Sequence, residues 1–481
     1  MKLNNISFSL VLSALLLCSS CSKEVETNTA ENNKSSRARP SSQQVKYQQK
    51  EKIAFIHFGM NTFTDHEWGT GKADPSHFNP TDLDAEQWAK TLSENGFKTL
   101  ILTAKHHDGF CLWPSKYTDY TVASSPYKDG EGDIVKEVSE ACEKYGIDFG
   151  VYLSPWDRHE ESYGTPEYNI FYLNQLKELL TNYGNIAEVW FDGAKGEDAQ
   201  DMEYNFDRWW TTVRNLQPDA LIFSDEGPDI RWIGNENGIA GQTNWSTVNR
   251  DSLTVGKPGQ KDYLNSGEKG APDWVVGECD VSIRPGWFYS ADEDDKVKTV
   301  DDLVDIYLKS VGRNCTLLLN IPPDRTGKLH PTDVERLYAF TDTLESMFDD
   351  NLVSAATIKA SSSNSSGAAE QILDGNWDSF WKPADSDKEP TLTLQFDKPI
   401  AFDILSLQEY IPKGQRISKF DISIKKDGNW KTIADETTVG YKRILSFDEV
   451  TTDQIQIRFK ETLATPIINN IELYHTNSRP K

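Results

Sequence analysis

The chain has 481 residues, of which 37% are hydrophobic, 11% aromatic and 26% charged, a length beyond one hydrophobic core and a composition ordinary for a globular protein of two or three domains. Its 75 Asp and Glu against 50 Lys and Arg give a formal charge of -25, which repels nucleic-acid phosphates and anionic lipid headgroups and favours a neutral ligand.

In chain order, Lys2 precedes an apolar run from Ile6 to Cys18, then small residues around a cysteine. This is the pattern of a secretory signal over residues 1–21, too short for a stable membrane span. The run Cys18-Ser19-Ser20-Cys21 resembles a bacterial lipobox with Cys21 as the lipidated residue; plain secretion after a nearby cleavage is the other reading. The expected location is the periplasm or, as a lipoprotein, the outer membrane of a Gram-negative bacterium, with Cys21 the sole membrane link. Residues 22–46 are polar and read as a flexible linker. The four later cysteines, Cys111, Cys142, Cys279 and Cys315, are widely spaced and imply neither a metal cluster nor a disulfide scaffold.

From residue 47, apolar strand-length runs alternate with amphipathic helix-length segments. The runs are 52–59, 98–104, 148–154, 186–192, 220–224, 274–278 and 316–321. The segment "TDLDAEQWAKTLSENG" predicts a helix capped by Thr81 or Asp82 and closed by Gly96, and "DIVKEVSEACEKYG" one closed by Gly146. Buried strands alternating with helices imply a parallel sheet. With no GxGxxG after the first strand, the expected α/β fold is a (β/α)8 barrel over residues 47–348, distorted because one strand, placed near 237–241, is unclear. Residues 349–481 alternate at period two and predict an antiparallel β-sandwich.

Barrels of this kind carry their chemistry at the C-terminal ends of the strands. Those ends supply His57, then Lys105, His106 and His107, then Tyr152, Asp192 and Glu278. Five of eight histidines (His57, His66, His77, His106, His107) fall within 51 residues. No HExxH or acidic triad accompanies them, so a metal in the barrel is not expected. Imidazoles that bond hydroxyls, with Trp68, Trp113, Trp156, Trp190 and Trp287 to stack on C–H faces, suit a neutral carbohydrate. Cleaving a glycosidic bond needs two carboxyl groups. Asp192 is the first, ending a buried strand with Trp190 on the same side and Gly193 allowing close approach. Spacing leaves the second open among Glu226, Glu236, Glu268 and Glu278.

Six segments, "IHFGMNTFTDHEWG", "TAKHHDGFCLWPS", "GVYLSPWDRH", "EVWFDGAKG", "RWIGNENG" and "DVSIRPGWFY", resemble in order the α-L-fucosidases of glycoside hydrolase family 29 over about 300 residues. The resemblance implies a retaining double displacement with Asp192 as nucleophile. It implies a fucose pocket of His57, Glu67, Trp68, His106, His107, Tyr152 and Trp190, with Trp287 closing over the ring. The "GNE" form resembles the branch acting on α-1,3- and α-1,4-linked fucose of Lewis-type glycans, in which Glu236 is the acid/base; Glu278 is the alternative. No cofactor is implied. The C-terminal "ILDGNWDSFW" with the closing "NNIELYH" is similar to discoidin-type galactose-binding modules, which implies a structural calcium near Asp374 and Glu472. Such a module either binds glycan or buttresses the barrel. The competing readings of the whole are a catalytically inactive, lipid-anchored glycan-binding protein and another retaining exo-glycosidase of the same fold.

Overall fold

The computed structural model describes residues 37–476; the leader, Cys21 and most of the linker lie outside the described residues. Eight parallel strands close into a barrel: β1 (Lys52–Ile56), β2 (Thr99–Lys105), β3 (Asp148–Leu153), β4 (Glu188–Trp190), β5 (Leu221–Ser224), β6 (Ile230–Trp232), β7 (Val276–Ser282) and β8 (Cys315–Asn320). β1 completes the ring, pairing with β8 through Lys52↔Leu317 and with β2 through Ala54↔Leu100.

The sixth strand lies upstream of the expected place, and residues 237–241 are an irregular loop. Its polar appearance has a physical cause. Arg231 is fully buried, and its guanidinium donates to the carbonyls of Leu264 (3.0 Å), Trp245 (2.9 Å) and Val275 and to Asn244 Oδ1 (3.0 Å). A buried arginine with a partner on each of its three nitrogens behaves as a core residue, which hides a three-residue strand from a hydropathy reading.

The helices around the barrel follow capping rules. They are α1 (Ser42–Lys50), α2 (Met60–Thr64), α3 (Ala85–Glu94), α4 (Ile134–Tyr145), α5 (Tyr168–Asn182), α6 (Phe206–Leu216), α7 (Lys261–Ser266), α8 (Val300–Ser310) and α9 (Pro331–Met347). The cap of α3 is Asp84, later than the expected Thr81 or Asp82, because its side chain reaches the N–H of Gln87 at 2.9 Å. α4 ends on Gly146 in the left-handed conformation, φ +69. The flexible tether gives way earlier than expected, at Ser42. Ser41 and Gln44 form a capping box, and Tyr47 is buried against the barrel interior.

The C-terminal region is an antiparallel sheet of six strands: β9 (Thr357–Ala360), β10 (Thr391–Glu409), β11 (Ile417–Lys426), β12 (Asn429–Glu436), β13 (Arg443–Thr462) and β14 (Ile468–Tyr474). Its hydrogen bonding runs continuously, because β10 and β13 are 19 and 20 residues long and change register between Gln395 and Ile400 and between Phe402 and Ile404. The module bonds into the barrel: Tyr441 N–H donates to Asn314 Oδ1 (2.7 Å), Gln415 Nε2 to Asn244 O (2.9 Å), and Asn244 N–H to Thr438 Oγ1 (2.9 Å).

The two carboxylates named for calcium have protein neighbours. Asp374 takes the Ser379 hydroxyl and the Asn376 N–H, and Glu472 acts on Tyr474, Tyr307 and Tyr441. Among the described residues no group of three or more His, Cys, Asp or Glu could hold a metal ion.

Candidate active site

A cavity of about 780 Å³ opens at the C-terminal ends of the strands, with His57, Glu67, Trp68, His106, His107, Tyr152, Trp190, Asp192, Glu236 and Trp287 in its wall. All ten residues named from the sequence meet there. Of the other second-carboxyl candidates, Glu226 lines a neighbouring cavity, Glu268 accepts the Tyr263 hydroxyl at 2.5 Å, and Glu278 is fully buried below the floor. Lys105 turns away from the cavity to Asp157, 2.7 Å off, among the rings of Tyr168, Phe171 and Tyr172. Trp113 is core, bonded to Glu178 at 2.9 Å, and Trp156 backs the 44% exposed Trp68 edge-on at 5.5 Å. His66 and His77 are exposed on a separate cavity.

The hydrogen-bond partners fix what each imidazole offers. Asn320 Nδ2 donates to Trp287 O (2.8 Å), which orients the amide, so Asn320 Oδ1 accepts from His57 Nδ1 (2.8 Å). His57 Nε2 is then an acceptor. Asn61 Nδ2 donates to Glu67 O (2.9 Å) and lies 3.3 Å from His106 Nδ1, which must accept and leaves Nε2–H as donor. The Ser154 hydroxyl donates to Trp156 O (2.6 Å), so it accepts from His107 Nδ1 (2.7 Å) and His107 Nε2 is again an acceptor. Burial holds all three rings neutral: His57 and His107 are pushed down to about 3, and His106 well below the usual value. The 3.7 Å approach of His107 Nε2 to Asp192 is accordingly not an ion pair.

Asp192 Oδ2 accepts the Tyr152 hydroxyl (2.9 Å) and Oδ1 the Ala194 N–H (2.8 Å). Burial raises its pKa, and these bonds pull it only part of the way back. Glu236 Oε2 accepts Trp287 Nε1 at 3.3 Å; burial and then the Asp192 charge raise its pKa. Glu67 takes the Trp287 N–H at 2.7 Å, so Trp287 bridges two carboxylates while its ring lies 5.1 Å from that of His57. Trp190 stacks on Phe223 at 3.8 Å.

Two wall carboxyls escaped the sequence reading. Asp225 follows β5 as Asp192 follows β4, so the strand-end rule applied to "ALIFS" would have found it. It accepts the Gly256 N–H at 2.7 Å, and burial pushes it up to about 6. Asp280, two residues after Glu278 on β7, has its pKa pushed up by burial and by the neighbouring Glu236, and accepts Trp232 Nε1 at 2.9 Å. The expected role of Gly193 also changes. A Cβ there would stand 2.6 Å from Asp225 Oδ2 and 2.8 Å from the Gly256 nitrogen, so the close neighbour is protein.

A closed (β/α)8 barrel with carboxyls, neutral imidazoles and indole faces gathered at the C-terminal ends of its strands is the architecture of a carbohydrate-cleaving enzyme. Residues 20–347 match the family model described as "Alpha-L-fucosidase" and residues 357–473 that of the "F5/8 type C domain". The chain is 47% identical over 443 residues to alpha-L-fucosidase 1 of Arabidopsis thaliana, covering 90% of this chain and 87% of the relative. Two solved structures superpose closely. SpGH29 has a TM-score of 0.88 at 44% identity, covering 92% of this chain and 99% of its own. A Ruminococcus gnavus GH29 fucosidase in complex with fucose has a TM-score of 0.86 at 37% identity, covering 92% and 95%. The chain belongs to the alpha-L-fucosidase family, glycoside hydrolase family 29. It is a glycoside hydrolase with a C-terminal discoidin-like module.

Proposed function

We propose that the protein is an exo-acting, retaining α-L-fucosidase that removes terminal α-1,3- or α-1,4-linked fucose from Lewis-type glycans, with Asp192 as nucleophile and Glu236 as acid/base. The observation that carries this is the pair of carboxyls on one cavity wall: Asp192 held by neutral donors, and Glu236 pushed up by burial and by Asp192's charge. In the first step an Asp192 oxygen attacks the anomeric carbon as the glycosidic C–O bond breaks, and Glu236 passes its proton to the leaving oxygen. In the second, the Glu236 carboxylate takes a proton from water, which displaces Asp192 and releases α-fucose. Retention asks the two carboxyls to stand about 5 to 5.5 Å apart.

The acceptor, donor and acceptor nitrogens of His57, His106 and His107 suit sugar hydroxyls, and Trp68, Trp190 and Trp287 give apolar faces to the ring C–H groups and the 6-methyl. The linkage reading is supported by the Gly234-Asn235-Glu236 motif and by a wall that continues past the sugar cluster to Asp225, Lys257 and Lys261, leaving room for a branched aglycone. The leader supports export, with a lipid at Cys21. The test is fucose release from Lewis-type trisaccharides against a simple aryl fucoside and an α-1,2-linked disaccharide, with the first-formed anomer read by proton NMR. We expect α-fucose first and kcat/KM at least about tenfold higher for the trisaccharides. Equal cleavage of the α-1,2 linkage removes the linkage assignment, and failure on every fucoside removes the function.

A further inference from the structure

Helix α1 lies outside the eight strand-helix units, yet one of its side chains ends inside the barrel. Gln44 anchors the helix through Nε2 to Asp229 O (2.9 Å) and Trp274 O (2.8 Å). Three residues on, the buried Tyr47 hydroxyl donates to Glu278 Oε2. The other oxygen of Glu278 accepts the Trp190 indole N–H at 2.8 Å. Glu188, on β4 below Trp190, also hydrogen-bonds Glu278.

Trp190 needs such a tether. Its ring lies 3.8 Å from that of Phe223 and nearly parallel to it, at 6°. A parallel stack fixes the separation of two ring planes but leaves sliding and in-plane rotation soft. One hydrogen bond at the indole edge removes that freedom. Glu278 does not line the cavity and has both oxygens engaged, so it cannot reach a reacting atom.

We propose that Glu278 and Tyr47 are positioning residues: Tyr47 fixes Glu278, Glu278 fixes the Trp190 indole, and the wall facing the sugar is thereby set by helix α1 from the opposite end of the barrel. This rests on the reading of the cavity as the fucose site. A small displacement of a wall that contacts the bound sugar weakens binding before it alters bond cleavage.

The test is a double-mutant cycle on the full chain, with KM and kcat for an aryl fucoside and Tm recorded for every variant. Tyr47→Phe removes one hydroxyl and keeps the ring, so folding is preserved even where Glu278→Gln misfolds. In the wild-type background Tyr47→Phe is expected to raise KM about tenfold with kcat within about twofold. In a Trp190→Phe background, which has no indole N–H to position, the same change should leave KM within about twofold. An equal rise in both backgrounds would show a general structural role and overturn the proposal, as would an unmoved KM for Tyr47→Phe alone. Should Trp190→Phe itself leave KM unmoved, the reading of the cavity falls first.

Discussion

Asp421 in the C-terminal module and Asp192 in the barrel are both carboxylates held by the fold, and the chain treats them in opposite ways. Asp421 is fully buried, with Arg458 at 2.6 Å and Lys460 at 2.8 Å. Burial pushes its pKa up, but the two cations more than offset this, so it lies below the usual aspartate range. Asp192 has a phenol and a backbone N–H, and burial wins. Lys105 ends the strand that leads to His106, but Asp157 holds it behind the wall at 2.7 Å. Asp421 is neutralised by its two cations, whereas Asp192 is bonded by neutral donors. Unbalanced carboxyls weaken folding, and they persist where a reaction needs them. An oxocarbenium-like transition state develops positive charge beside Asp192, so a cation there would oppose the reaction.

The largest effect that would break this contrast is at Asp192. Asp192→Ala is expected to lose at least about 10³-fold in kcat, with partial rescue by azide as β-fucosyl azide, identified by NMR. Near-normal turnover, or rescue giving the α-azide, excludes Asp192 as nucleophile. The pH profile sharpens the point. Asp192 must be ionised, so activity falls as pH drops through its raised pKa; Glu236 must hold its proton, so activity falls again as pH rises through its own raised pKa. Glu236→Gln should cost about 10² to 10⁴-fold on glycans, cost far less on an aryl fucoside with a good leaving group, and abolish the alkaline limb.

Much of the barrel was legible because its strands are buried on both faces and read as apolar runs, and because strand ends announce themselves through polar residues. The exceptions have separate causes. Arg231 is a charged side chain satisfied inside the core, and it concealed β6. Asp225 sits at a strand end like Asp192, and Phe223 precedes it at period two as Trp190 precedes Asp192, so the same signal was present in the sequence. Ser224 stands before it and Phe223 is turned to stack on Trp190. The choice of Glu236 over three other glutamates was not readable from spacing, because a loop rather than a strand carries it to the wall; the family resemblance singled it out. The support beneath Trp190 was also hidden, since it joins residues 47, 190 and 278 across the barrel axis.

Two substitutions of one type should move stability in opposite directions. For Asp421, a folded pKa below the unfolded value of about 3.9 means that its contribution is fully present above that pH and lost as pH falls through the folded value. Asp421→Asn should therefore cost about 2 kcal/mol at neutral pH, with a smaller loss at pH 3 and kcat unchanged. For Asp225 the sign reverses. Its folded pKa of about 6 lies above the unfolded value, so ionisation opposes folding, with a penalty that starts near pH 4 and is complete above pH 6. Asp225→Asn keeps an acceptor for the Gly256 N–H and removes the charge. It should stabilise the protein by about 1 kcal/mol at pH 7.5, a rise of about 2 °C in Tm, and by nothing at pH 4. A drop in Tm at pH 7.5 would mean that Asp225 is a structural acid like Asp421, and the contrast with Asp421 would not extend beyond the Asp192 and Glu236 pair.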